Sequence, residues 1–130
     1  MYTAVTRDIQ VTALPDFLVE RSDPAQGRFF WAFTIEIANL GRERVQLLTR
    51  RWIIVDAAGR RQEFSAPGVV GEQPVLEPGE TYRYASGCPL STPSGVMQGS
   101  YGMVNDAGEN FDVEIPPFSL DSPFSHPTLN

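Results

Sequence analysis

Residues Phe29-Phe30-Trp31-Ala32-Phe33-Thr34-Ile35-Glu36-Ile37-Ala38-Asn39-Leu40 decide the fold. Phe29, Trp31, Phe33, Ile35 and Ile37 share one parity, while Thr34 and Glu36 fall on the other. Side chains alternate faces along a strand, so this order gives one apolar face and one polar face. Helical spacing fits the run poorly, and its aromatic and β-branched residues suit a pleated surface. A long, half-buried strand is therefore predicted here, with Trp31 as a core anchor.

The flanking segments extend the pattern. Val5, Ile9 and Val11 share a parity and read as a first strand, and Phe17-Leu18-Val19 reads as a short second one after Pro15. Beyond a turn at Asn39-Leu40-Gly41, Val45 to Asp56 forms the next strand. Its Trp52-Ile53-Ile54-Val55 is apolar at both parities, which predicts a central strand covered on both faces. Asp56-Ala57-Ala58-Gly59 leads into a strand from Arg61 to Phe64, and Val104-Asn105-Asp106-Ala107-Gly108 into one from Asn110 to Ile115. Both place Asp early and Gly late, the chemistry of a short hairpin loop closing on a positive-φ glycine. Thr81 to Gly87 and Gly95 to Val104 supply two more strands. No window offers an amphipathic helix, so the chain reads as an all-β sandwich of about seven to eight antiparallel strands.

The 130 residues suit one domain over 1–130 with a single core, and 42% hydrophobic content argues against disorder. Phe118 and Leu120 are expected to pack, whereas the Pro- and Ser-rich end is expected to be a flexible tail from about 121. No apolar run approaches the roughly 20 residues of a membrane span. The N-terminus lacks the blocks of a signal peptide, and the lone Cys88 cannot form an internal disulfide. A cytoplasmic location is expected. Net charge is −6, and all ten basic residues are arginine. The acidic balance argues against nucleic-acid binding, which needs a basic face.

Between Phe64 and Tyr84, glycines and prolines crowd around short apolar pairs, which marks a shaped connection rather than a spacer. With its neighbours this stretch carries a series of ordered motifs. The motifs are Arg51-Trp52-Ile53-Ile54-Val55-Asp56-x-x-Gly59, Gly68-Val69-Val70-Gly71-Glu72-Gln73-Pro74 and Pro78-Gly79-Glu80-x-Tyr82-x-Tyr84-x-Ser86. Gly95-x-Met97-x-Gly99-x-Tyr101 and Phe111-x-Val113-x-Ile115-Pro116-x-Phe118-x-Leu120 follow in order. Together these motifs resemble the ApaG family, called CorD in some genomes, and the resemblance implies an immunoglobulin/fibronectin type III-like β-sandwich. It also implies an association with cobalt and magnesium tolerance and with a neighbouring gene for a diadenosine tetraphosphate hydrolase, and, through related eukaryotic domains, protein interaction. Leu76-x-Pro78-x-x-x-Tyr82 looks similar to the tyrosine corner of such sandwiches, in which a tyrosine hydroxyl ties back to upstream backbone. Tyr82 or Tyr84 would fill that structural role.

Many relatives carry Gly-x-Gly-x-x-Gly where this chain has Ala66-Pro67-Gly68-Val69-Val70-Gly71. A phosphate-cradling use of that motif requires a following helix, and Gln73-Pro74-Val75 and Pro78-Gly79 leave no room for one. Arg42, Arg44, Arg50, Arg51, Arg60 and Arg61 gather around the Trp52 strand, opposed in that span only by Glu43 and Asp56. Arg50, Arg51, Arg60 and Arg61, beside Gly68 and Gly71, could make an anion-attracting patch or a solvated rim paired with Glu63, Glu72 or Glu80. Metal ligands are sparse: one histidine, His126, lies far in sequence from Cys88, and Asp106, Glu109 and Asp112 read as solvated turn acids. No metal, cofactor or catalytic set is predicted. Two readings stay open. One is a non-enzymatic binding module that meets a partner protein, or a second copy of itself, through an edge strand, either the first or Arg61 to Phe64. The other is a binder of phosphate or pyrophosphate groups, as on nucleoside polyphosphates, through the Gly68–Gly71 loop and the nearby arginines.

Overall fold

The computed structural model describes residues 1–125. Over them the chain forms β1 (Tyr2–Thr6), β2 (Ile9–Phe17), β3 (Phe29–Asn39), β4 (Val45–Asp56), β5 (Arg61–Pro67), β6 (Val75–Leu76), β7 (Thr81–Leu90), β8 (Gly95–Asn105) and β9 (Asn110–Leu120). Two short 3₁₀ turns lie between β2 and β3, and no helix of the described residues is long and apolar enough to cross a membrane. Every pairing is antiparallel. One sheet has the order β1-β2-β3-β7; the other has β5-β4-β8-β9, with β6 pairing the start of β4.

The two layers bury the faces that alternation assigns. Phe29, Trp31, Phe33, Ile35 and Ile37 are all buried, as are Trp52 and Ile54 opposite them. Phe33 and Trp52 meet edge to face across the core at 5.3 Å, and Phe118 packs on both. The Trp31 indole N–H donates to the Asp121 carbonyl at 2.7 Å, so its one polar atom is satisfied. Between β4 and β8 the strands approach so closely at Gly99 that a Cβ there would run into the Arg51 carbonyl.

Several expectations change. The first strand is a hairpin: Arg7 and Asp8 take φ of 48° and 63° and fold β1 back onto β2. Val5 therefore lies opposite Gln10 and is exposed, while Ile9 and Val11 are buried. The short strand at Phe17-Leu18-Val19 does not exist. β2 runs through Pro15 to Phe17, and Val19–Arg21 is a 3₁₀ turn. Pro15 is tolerated because β1 pairs no further than Ala13, so β2 has only one neighbour there. β4 is central, between β5 and β8, but it is covered on one face only: Ile53 and Val55 are half-buried on the outside. The hairpin at the start and the two-residue β6 raise the strand number to nine among the described residues.

The tyrosine ties also differ. The Tyr82 hydroxyl donates to Glu72 Oε2 at 2.8 Å, and the buried Tyr84 and Tyr101 hydroxyls bond to each other, so neither Tyr82 nor Tyr84 reaches upstream backbone. In β9 an extra residue around Pro116–Pro117 shifts the register between Met97 and Gly99. Burial accordingly passes from Val113 and Ile115 to Pro116, Phe118 and Leu120. After β9, the Ser122 and Ser125 hydroxyls donate to the Pro93 carbonyl, and the Phe124 ring lies against Phe17 and Phe29. His126 to Asn130, the rest of the expected tail, lie outside the described residues.

Candidate functional site: the open edge between β5 and β7

The sandwich closes along one side and stays open along the other. On the closed side β1 packs against β9. Tyr2 meets Phe118 at 6.1 Å, the Glu114 N–H donates to Thr6 Oγ1, and Arg7 stacks over Phe111 while pairing with Glu109. On the other side β5 and β7 are the free edges of their sheets, and among the described residues no comparable packing joins them.

The residues facing this mouth follow from register. Phe64 and Gln62 lie opposite Trp52 and Ile54, so they point to the core face; Ser86 lies opposite Phe33 and does the same. Arg50 stands two residues before Trp52 on the same face. In a closed sandwich these positions would be buried. Here Gln62, Phe64 and Ser86 are exposed, Phe64 by 45%, and Arg50 is half-buried. They line a cavity of about 210 Å³ whose floor is Phe33, Trp52, Ile54 and Met97, with Gly87, Cys88 and Pro89 along the β7 wall. A second hollow of about 330 Å³ shares Gln62 and Pro89 and continues to Leu90, Ser91, Arg60 and Gly27, so the two form one groove.

Loop chemistry shapes each end. At one end the Arg50 Nη1 donates to the Pro67 and Gly68 carbonyls at 3.1 and 2.8 Å. Gly68 takes a φ of 61°, and a Cβ on it would collide with the Glu72 carbonyl. The Val69 N–H donates to the Glu72 carbonyl and the Glu72 N–H to that of Val69, which closes a two-residue hairpin on Val70 and Gly71 at φ of 41° and 83°. The Gly68 N–H donates to the Leu48 carbonyl. At the other end Asp56 Oδ1 accepts from the Ala58 and Arg60 N–H groups, and Asn105 Oδ1 accepts in the same way from Ala107 and Glu109 in the matching turn. The two turns echo each other as their Gly59 and Gly108 spacing suggests.

The four candidate arginines separate. Arg51 and Arg61 lie on the outer face and converge on Glu63, which its hydrogen bond from Arg51 holds below the usual carboxylate range. Arg60 pairs with Asp56 at 2.9 Å and donates to Ser91 Oγ at the far end of the groove. Arg50 alone of the four faces the mouth without a carboxylate among the described residues. Gly68 and Gly71 shape the adjoining hairpin, and the amides of Gly68, Val69 and Glu72 are already engaged. Gln62, Phe64 and Ser86 were missed by sequence reasoning. A small polar residue at a core parity, between Tyr84 and Cys88, was the available signal.

Reactive groups near the groove are held protonated. Burial pushes the Cys88 thiol up to about 11 and the Tyr84 phenol up to about 12, and it raises Tyr101 well above the usual phenol value. Among the described residues no group of three His, Cys, Asp or Glu side chains could hold a metal ion.

Comparison with known proteins agrees with the fold. The model of the ApaG domain matches residues 19–105. Protein ApaG of Beijerinckia indica and that of Methylocella silvestris are each 59% identical over 130 residues, with all of both chains covered. The crystal structure of an ApaA protein from Bordetella pertussis, 45% identical, superposes with a TM-score of 0.88 over 91% of this chain and 96% of that one. By family model, full-length identity and fold, the chain belongs to the ApaG family.

Proposed function

We propose that this protein is a non-catalytic docking module whose β5–β7 groove receives an extended segment of a partner protein. One observation carries the reading: Gln62, Phe64 and Ser86 occupy core-facing positions yet are open to solvent, between two strands whose outer edges are unpaired. An incoming strand can bond to such an edge while alternate side chains enter the cavity. The groove runs from Arg50 to Asp56 along β4, about 20 Å at strand rise, room for about six extended residues. Each hollow is near or below the roughly 300 Å³ at which pockets begin to enclose whole small ligands, which suits single side chains.

A binder of phosphate-bearing ligands has less support. It needs main-chain N–H groups and arginines together, and here the Val69 and Glu72 amides close the hairpin, the Gly68 amide bonds to Leu48, and Arg51, Arg60 and Arg61 already hold carboxylates. Pairing of β5 with a second copy of the chain would use the same edge, and any link to cobalt or magnesium tolerance would run through the partner.

The test is selection of peptides from a random display library on the folded protein, repeated on Ser86→Trp, which fills the mouth. The expected result is a convergent peptide family that binds the wild type and is lost on Ser86→Trp at unchanged melting temperature. Peptides that bind both proteins equally, or no convergent family, would overturn the reading.

A further inference from the structure

Arg50 holds the Gly68 hairpin with one edge of its guanidinium and leaves the other edge without an acceptor among the described residues. A guanidinium has five N–H donors in a rigid fork. Arg50 spends one nitrogen, Nη1, on the Pro67 and Gly68 carbonyls, which fixes the plane of the group. Its Nε–H and Nη2 donors form the opposite edge, and no described residue accepts from them. That edge matches the two oxygens of a carboxylate, and a pre-fixed fork loses little freedom on binding. The charge reaches the interior: it opposes the upward push of burial on both Tyr84 and Tyr101. Beside it lie Phe33, Trp52 and Met97 as an apolar floor and Phe64 as an exposed wall.

We infer that Arg50 and this aromatic floor form a subsite that reads a carboxylate lying next to a large apolar side chain on the docked segment. The inference rests on the groove reading above and names the chemistry of one residue of the partner. A carboxylate is favoured over a phosphate because one free guanidinium meets one negative charge. The other arginines that would balance a phosphate are occupied by Glu63 and Asp56.

The probes are N-acetylphenylalanine, which joins a carboxylate to an apolar ring, its uncharged amide, and inorganic pyrophosphate. Each is titrated into the full-length protein while the Arg50 Nε–H, the Trp52 indole N–H and the groove amides are followed by NMR. The acid is expected to shift the Arg50 and Trp52 signals together and to bind about tenfold tighter than the amide. Arg50→Gln should reduce that ratio to about two or less, with Arg50→Lys between the two because it keeps the charge but not the fork. Thermal unfolding of both variants confirms that they fold, and the wild-type Nε–H reports directly if Arg50→Gln does not. Equal binding of acid and amide within the groove overturns the Arg50 subsite and leaves the groove reading standing. Pyrophosphate moving Arg50 where the acid does not, or no probe moving it, also overturns the subsite. The groove itself is judged independently by the Ser86→Trp selection.

Discussion

The two sides of the sandwich are built from similar strands and end differently. Where β1 meets β9, aromatic stacking, a main-chain to threonine bond and the Arg7–Glu109 pair join the sheets. Where β5 faces β7, the core-facing residues at the mouth include Gln62, Phe64 and Ser86, too polar, too exposed or too small to bridge the gap. Tyr82–Glu72 and Arg60–Ser91 span this side at its ends, and the buried Tyr84–Tyr101 bond runs from β7 to β8 rather than to β5. A strand edge is a liability unless it is covered or used. The closed side shows the fold covering its edges with its own residues; the open side keeps an apolar floor and two free edges accessible at once. The difference teaches that the groove arises from the choice of a few inward side chains, not from a gap in the strand order.

The largest contrast is in stability. Phe118→Ala should cost about 3–5 kcal/mol, because a fully buried ring packed on Tyr2, Phe33 and Trp52 leaves a cavity. Phe64→Ala should cost less than about 1 kcal/mol, since its ring is already half in water. Urea unfolding of both variants measures this, and equal losses would mean that the open side is packed shut.

Next is alkaline stability beneath the mouth. Burial holds the Tyr84 phenol at about 12, above its ordinary value near 10, so between those values the folded chain keeps a proton that the unfolded chain gives up. Stability is therefore complete below about pH 10 and falls as pH rises through about 12, by on the order of 2 kcal/mol from Tyr84. Denaturant midpoints from pH 8 to 12 should show the fall, and Tyr84→Phe should flatten it. A flat wild-type profile would indicate that water already reaches the tyrosine pair.

The smallest effect sharpens the role of the hairpin at the end of the groove. Val70 is a β-branched residue at a φ of 41° and is exposed, where Asn is better suited to the first position of such a turn. Val70→Asn should raise stability by about 0.5–1 kcal/mol in thermal unfolding. A loss instead would show that the Val70 side chain holds the loop against the sandwich.

Much of this architecture was legible in the residues. Period-two alternation in β3 identifies the core face because one side of that strand meets protein and the other meets water. The order of the motifs identified the family. Misreadings came where local signals were ambiguous. Val5, Ile9 and Val11 keep one parity across a turn made by Arg7 and Asp8, and Arg7 is not a usual left-handed residue. Pro15 suggested a break, but it falls where β2 has lost one neighbour. The arginine cluster was visible; its division between outer face, groove end and mouth was not, because the shift between Leu47 and Thr49 changes which parity points inward. The groove itself depends on which edges meet across the layers, and that is a tertiary property.

The most direct measurement is amide hydrogen exchange of the full-length protein with and without a display-selected peptide. A segment docked along the open side predicts added protection confined to residues 61–67 and 81–90. Protection appearing on β1 and β9 instead, or on the outer face around Arg51 and Glu63, would contradict it.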